Sequence, residues 1–260
     1  AGADPLLGQG GDDILHGGDG ADILFGDDAD QFILSGDDRL SGGAGDDQLS
    51  GGLGSDVLAG GEGQDSLWGD AGDDRLAGGP GLDFLEGGAG QDRYVFSAGD
   101  SPQINGQTET LLDAPGQGNR IEFAAGITPD SLQITPVGDS GDLILEYATD
   151  DRVYLKDGLV GVIETVSFAD GHTFSYQGLL ASLLSGEAPA GEPGMSLSGR
   201  LASLDLGAWL NWWERQDQAG ARAETGVALS TPGGAERGGC GNAGGCRFVG
   251  AGSQIYERGY

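Results

Sequence analysis

The chain is 260 residues long, carries 42 acids against 12 bases for a formal net charge of −30, and contains 54 glycines. Charge of that sign and size weighs against nucleic-acid phosphates or anionic lipid as partners and favours a cation. So much glycine argues against a conventional globule and points to a repeat or another loop-rich architecture.

The chain opens with a ladder of eleven aspartates: Asp4, Asp13, Asp22, Asp30, Asp38, Asp47, Asp56, Asp65, Asp74, Asp83 and Asp92. Eight of the ten steps are nine residues long and two are eight. Two residues beyond each rung stands a large apolar or aromatic side chain: Leu6, Leu15, Leu24, Phe32, Leu40, Leu49, Leu58, Leu67, Leu76, Leu85 and Tyr94. With 37% of the chain hydrophobic, eleven such hits would arise by chance about 2 times in 100,000. Two residues before each rung stands glycine, Asp28 being the one departure. Residues 1–98 hold 21 acids against three arginines, a net of −18. Without a ligand such a segment repels itself and buries little apolar surface, so its folding is expected to depend on one.

Written in frame, units such as GGAGDDQLS (42–50), GGLGSDVLA (51–59) and GGEGQDSLW (60–68) divide into a six-residue loop and a three-residue strand. The middle side chain of each strand points inward, as the two-residue alternation of β-structure requires. One such strand cannot bury itself, but stacked units superpose their apolar residues into a narrow core between two parallel sheets. Glycine lets the turns approach closely, and loop carbonyls can then face an ion. Hard divalent cations take six to eight oxygens, which two loops supply between them from carbonyls and aspartates.

The units match GGxGxDxUx, with U large and apolar, and resemble the RTX, or haemolysin-type, calcium-binding repeat. The resemblance implies an all-β fold: a right-handed parallel β-roll, then a β-rich cap and a largely irregular tail with a short helix. It implies several calcium ions, about four to nine, held between loops on the same edge of the roll. One edge is expected to carry Asp4, Asp22, Asp38, Asp56, Asp74 and Asp92, and the other Asp13, Asp30, Asp47, Asp65 and Asp83. The best-formed sites join Asp47 with Asp65, Asp56 with Asp74, Asp65 with Asp83, and Asp74 with Asp92. The glycines expected to contribute are Gly43, Gly45, Gly52, Gly54, Gly61, Gly63, Gly72, Gly79 and Gly81. Between Phe25 and Leu40 the loops shorten to GDDAD and LSGDD. The roll is expected to continue through them with Phe32 and Leu40 inward.

From Gly99 the glycine ladder stops. Runs at 120–123, 132–137, 142–147, 152–155 and 163–168 read as strands, and 177–184 as a short closing helix. This stretch resembles the segment that follows RTX repeats in many large secreted proteins, where it caps the open end of the roll. Residues 185–199 have a linker's composition. Residues 200–219, with Leu201, Leu204, Trp209, Leu210, Trp212 and Trp213, form an amphipathic pattern suited to packing on the cap or to membrane or cell-surface contact. The expected organisation is thus a calcium-binding β-roll at 1–98, a capping module at 99–184, and a linker, helix and glycine-rich tail at 185–260. Cys240 and Cys246 lack zinc-site spacing and suit either a small disulfide loop or two free thiols.

His16 and His172 lie far apart without an evident nucleophile, and GxSxG, HExxH and phosphate-loop motifs are absent from the sequence. The chain is not read as an enzyme. The resemblance implies a secreted bacterial protein, exported unfolded by type I secretion machinery and folding on extracellular calcium, here as a monomeric fragment that begins inside a repeat at Ala1. It is equally compatible with the export module of an RTX lipase, protease or polysaccharide epimerase with an upstream catalytic domain, and with the end of an RTX adhesin or cytotoxin. No apolar run approaches the roughly 18 residues of a membrane span.

Overall fold

The computed structural model of the protein describes residues 2–27 and 35–185, apart from 103, 105, 106, 115, 116, 139, 159 and 160. The expectations for Asp30, Phe32, the linker, the amphipathic helix and the two cysteines fall outside these residues.

The repeat region folds into ten short strands: β1 (Pro5–Gln9), β2 (Ile14–Asp19), β3 (Ile23–Asp27), β4 (Arg39–Ala44), β5 (Gln48–Leu53), β6 (Val57–Glu62), β7 (Ser66–Ala71), β8 (Arg75–Ala77), β9 (Phe84–Ala89) and β10 (Arg93–Phe96). Odd-numbered strands pair in one sheet and even-numbered strands in the other, every pair parallel. This is a parallel β-roll, because each unit contributes one strand and then crosses to the opposite sheet. The register superposes the apolar residues. Leu6, Leu24, Leu49, Leu67 and Leu85 stack in one sheet, and Leu15, Leu40, Leu58, Leu76 and Tyr94 in the other. From Leu24 onward these side chains are almost wholly buried, whereas Leu6 and Leu15 at the first turns are half-buried.

The pairing overturns the expected edge assignment. β2 pairs with β4 through Leu15 and Leu40, and β3 with β5 through Leu24 and Leu49, offsets of 25 rather than 18 residues. The two eight-residue steps therefore do not add two turns. Among the described residues β4 follows β3, and the step from Leu24 to Leu40 is seven residues longer than the nine of the other units. An extra pair of turns would have kept Asp22 on the edge of Asp38; one lengthened turn puts it on the edge of Asp47. The physical reason lies in the missing glycines. GDDAD and LSGDD lack the glycine pairs of the other units, and Gly54 stacks directly on the Gly36 carbonyl, where a Cβ is excluded.

Both sheets continue beyond the repeats. β11 (Glu109–Leu112) pairs parallel with β9 and with β15 (Arg152–Leu155); β12 (Arg120–Phe123) pairs parallel with β10 and with β16 (Thr165–Phe168). Antiparallel pairing then ends each sheet, through β13 (Gln133–Val137) and β14 (Asp142–Glu146) beside β15, and through β17 (Thr173–Ser175) beside β16. Helix α1 (Tyr176–Ser185) follows β17 and touches β13 and β17. The core here fills with aromatic rings: Phe96, Tyr147, Phe123, Phe168 and Phe174 lie with successive centroids 5.2–6.0 Å apart. The strands read from sequence at 120–123 and 152–155 agree to the residue, while β11 and β17, both short and flanked by polar residues, escape the alternation pattern.

Leu67 sits at the centre of the stack and is fully buried. Leu67→Ala is expected to lower stability by about 2–5 kcal/mol, and Leu53→Ala on the outside by under about 0.5 kcal/mol. Urea unfolding in millimolar calcium distinguishes them.

Candidate metal centre

Each rung aspartate ends a glycine loop and immediately precedes an inward-facing strand, which fixes its side chain against the turn stacked beside it. Its Oδ1 accepts a hydrogen bond from the backbone N–H of the rung one level below. On one edge the donors and acceptors run Asp4 to Asp22, Asp22 to Asp47, Asp47 to Asp65 and Asp65 to Asp83, at 2.7–2.9 Å. On the other they run Asp13 to Asp38, Asp38 to Asp56, Asp56 to Asp74 and Asp74 to Asp92, again at 2.7–2.9 Å. The four favoured pairs are thereby brought together, but Asp22 and Asp38 stand on opposite edges. From Asp22 to Asp92 the described rungs are at most 2% exposed.

The second oxygen has no partner. Oδ2 of Asp13, Asp22, Asp38, Asp47, Asp56, Asp65, Asp74, Asp83 and Asp92 is buried and receives no hydrogen bond. Nor does a base neutralise it, since the ion pairs among the described residues are Arg93–Glu122, Arg152–Glu146 and His172–Asp170. Leaving a buried anionic oxygen bare is costly, and either a proton or a cation must relieve it. Burial, reinforced by neighbouring carboxylates, pushes the carboxyls of Asp56, Asp65 and Asp92 up to about 6, Asp83 to about 7 and Asp74 to about 8, against the opposing effect of the backbone donors.

The glycines divide into two kinds. Those expected as contributors stack on carbonyls of the turn below: Gly61 on Gly43, Gly63 on Gly45, Gly72 on Gly54, Gly79 on Gly61 and Gly81 on Gly63. Gly63, with φ 145°, shows why a side chain is excluded: its Cβ would run into the Gly45 carbonyl. The sequence reading missed the first glycine of each loop, Gly42, Gly51, Gly60, Gly69, Gly78 and Gly87. A Cβ at Gly60 would collide with Asp65 Oδ2 and the Gly78 carbonyl, so this glycine makes the cradle in which the free oxygen lies. The doubled GG at fixed distance from each rung was the available signal.

Two ladder ends were also missed. Glu109 and Asn119 occupy the next rung positions, two residues before the inward Leu111 and Ile121, and are 1% and 0% exposed. Asn119 Oδ1 accepts from the Asp92 N–H at 2.9 Å, and its Nδ2 donates to Asp113 Oδ2 at 2.7 Å. Glu109 accepts from the Ser101 hydroxyl, which also meets Tyr147. Of the histidines, His16 is exposed on β2 and His172 sits in the turn before β17 against Asp170.

No three acidic, imidazole or thiolate side chains stand in ligating geometry around one point among the described residues. The donor set is instead one free carboxylate oxygen per rung amid glycine-loop carbonyls. That all-oxygen chemistry fits a hard divalent ion such as calcium, which would supply the positive charge the two aspartate ladders lack.

A model of the RTX calcium-binding nonapeptide repeat, in four copies, matches residues 1–30, 33–67 and 68–101. The first 101 residues are therefore an RTX calcium-binding repeat array. Comparison with curated proteins gives no match. Among solved structures, the chain is similar to the AlgE6R3 subunit of the Azotobacter vinelandii mannuronan C5-epimerase, at 27% identity and TM-score 0.38, covering 63% of this chain and 92% of that one. It is also similar to the extracellular lipase LipA from Serratia marcescens, at 16% identity and TM-score 0.24, covering 59% of this chain and 38% of that one. The β-roll rests on its own strand pairing rather than on these likenesses.

Asp65→Ala removes the acceptor for the Asp47 N–H and the free oxygen in the Gly60 cradle. Calcium titration is expected to show two weakened steps, whereas Asp130→Ala, in the 3-10 turn Pro129–Ser131, leaves the titration unchanged. A pH dependence also follows. Asp56, Asp65, Asp74, Asp83 and Asp92 have folded values raised above the ordinary 3.8, so in metal-free protein their contribution is fully present below about pH 4 and is lost as pH rises toward 8. The β-structure of desalted, calcium-free protein, followed by circular dichroism, should therefore decrease as pH is raised from 4.5 to 8; an increase contradicts this.

Proposed function

We propose that this chain is the calcium-dependent folding module of a secreted bacterial protein, passed unfolded through type I secretion machinery and folding outside the cell. The observation that carries the reading is the set of nine buried carboxylate oxygens without a donor. They repel one another when the loops close, and calcium removes that repulsion. Extracellular sites of this kind have dissociation constants of about 0.1–1 mM, empty in the cytosol and filled outside. At about ten times the dissociation constant each ion adds about 1.4 kcal/mol, so the four levels Asp47–Asp65, Asp56–Asp74, Asp65–Asp83 and Asp74–Asp92 suffice to decide a marginal fold. The remaining levels, down to Asp4 and Asp13, take further ions.

In this reading residues 1–98 bind calcium and residues 99–184 cap the roll, protecting its last core layer and open backbone edges. The chain's part is export, folding and stabilisation, and any catalysis belongs to other sequence. His16 and His172 are given no chemical role.

Circular dichroism of the whole chain is expected to show coil in chelator and β-structure in millimolar calcium, reversibly. Spectra unaffected by chelator at neutral pH would sink the proposal.

A further inference from the structure

The lengthened crossing between β3 and β4 departs from the repeat in a second way. Its second position is Asp27, where the column of stacked loops above has Gly52, then Asp70, then Gly88. Asp27 packs against Gly52 so closely that a Cβ there would lie 2.6 Å from the Asp27 Cβ. Its Oδ2 accepts from the Leu53 N–H at 2.8 Å, which ties it to the neighbouring loop. Its Oδ1 is buried without a partner.

Two rung oxygens in the same state belong to the same pair of loops. Asp38 Oδ2 lies against Gly26, which the Gly51 carbonyl also crowds, and Asp56 Oδ2 lies in the cradle of Gly51. Both residues are essentially fully buried, at 0% and 1% exposure. The Asp27 charge bears on both of them. Among the described residues, Asp27 is the one aspartate outside the rungs with a buried, unpartnered carboxylate oxygen, so this level has a third carboxylate with an oxygen to spare. Asp70, in the same column two levels up, does not repeat the arrangement: it is exposed and its Oδ2 takes the Ser50 hydroxyl at 2.6 Å.

Resting on the calcium reading above, we propose that Asp27 is an additional carboxylate ligand for the divalent cation held between the loops that end at Asp38 and Asp56. The lengthened turn thus becomes the most negative and tightest level of the roll rather than a defective one. The three carboxylates do not surround a common point, so inward movement of Asp27 Oδ1 is part of binding, and the Leu53 amide reports it. Charge count tunes the affinity of oxygen-ligated calcium sites. Removing one ligand charge from a divalent ion costs at least about tenfold in affinity even in water-like surroundings.

The test is calcium titration of the whole chain by calorimetry, with the Leu53 amide followed by NMR, for wild type, Asp27→Asn and Asp70→Asn. Asp27→Asn is expected to weaken the tightest step at least about tenfold and to shift the Leu53 transition with it, leaving the other steps in place. Asp70→Asn is expected to leave the tightest step unchanged. Unaltered binding in Asp27→Asn, with wild type binding normally, overturns this proposal alone. A wild-type chain that takes up no calcium overturns the calcium reading and this proposal with it. If Asp27→Asn fails to fold, Asp27→Gly, which restores the residue found at Gly52 and Gly88, replaces it and is expected to show the same single weakened step.

Discussion

The structure depends on a carboxylate that is half satisfied. Each rung gives Oδ1 to the backbone N–H of the turn below, which is what registers one turn on the next. The bond is charge-assisted and therefore strong, but making it fixes Oδ2 in a buried cradle with nothing to meet it. The interaction that aligns the solenoid is thus also the one that destabilises it. Stacking more turns adds more buried like charge, so stability does not grow with repeat number until a cation or protons arrive.

The apolar side of the balance is thin. Each unit of nine residues contributes one inward side chain, and the stack from Leu24 to Leu85 is a single file per sheet. A fully buried leucine is worth about 1.5–3 kcal/mol, against ordering costs of about 1–2 kcal/mol for every backbone residue. Many of those residues are glycine, which loses more conformational freedom than any other. Glycine is nonetheless indispensable at two places per loop: at positions such as Gly63 for close stacking, and at positions such as Gly60 to leave room for the carboxylate. The same composition that builds the cradle makes the roll unable to hold itself together by burial.

The rung and its apolar partner two residues on were legible because both repeat wherever a turn repeats. Strand position, inward residues and the four favoured aspartate pairs follow from that alone. The lengthened crossing was not legible, because Asp30 and Phe32 imitate the offset, and only sheet pairing shows that no strand lies between β3 and β4 among the described residues. Asp27 escaped notice for a related reason: an aspartate in an irregular loop of an acidic chain looks like solvated charge until its Oδ1 is seen to be buried. Glu109 and Asn119 keep the offset to Leu111 and Ile121 but lie in loops without glycine pairs, so composition hid them.

These last two residues show how a charged file can end. Continuing with aspartate would leave one more bare oxygen at each edge. Asn119 instead keeps the acceptor that the Asp92 N–H requires and replaces the free oxygen by an amide, whose N–H is taken by Asp113. Asp113 in turn accepts from the Tyr94 hydroxyl, and Tyr94 accepts from the Gly87 N–H at 2.7 Å. Tyr94 also fills the inward position that leucine holds in earlier turns. One edge therefore closes with donors drawn from the chain itself and needs nothing further. The other closes on Glu109, fully buried, its carboxyl held well above the ordinary range by burial and by Asp83, Asp100 and Asp151. Glu109 there accepts from the Ser101 hydroxyl, which also meets Tyr147. An amide on one edge and a buried, hydrogen-bonded acid whose burial disfavours its charged form on the other meet a single requirement, that the file of aspartates stop where the glycine loops end.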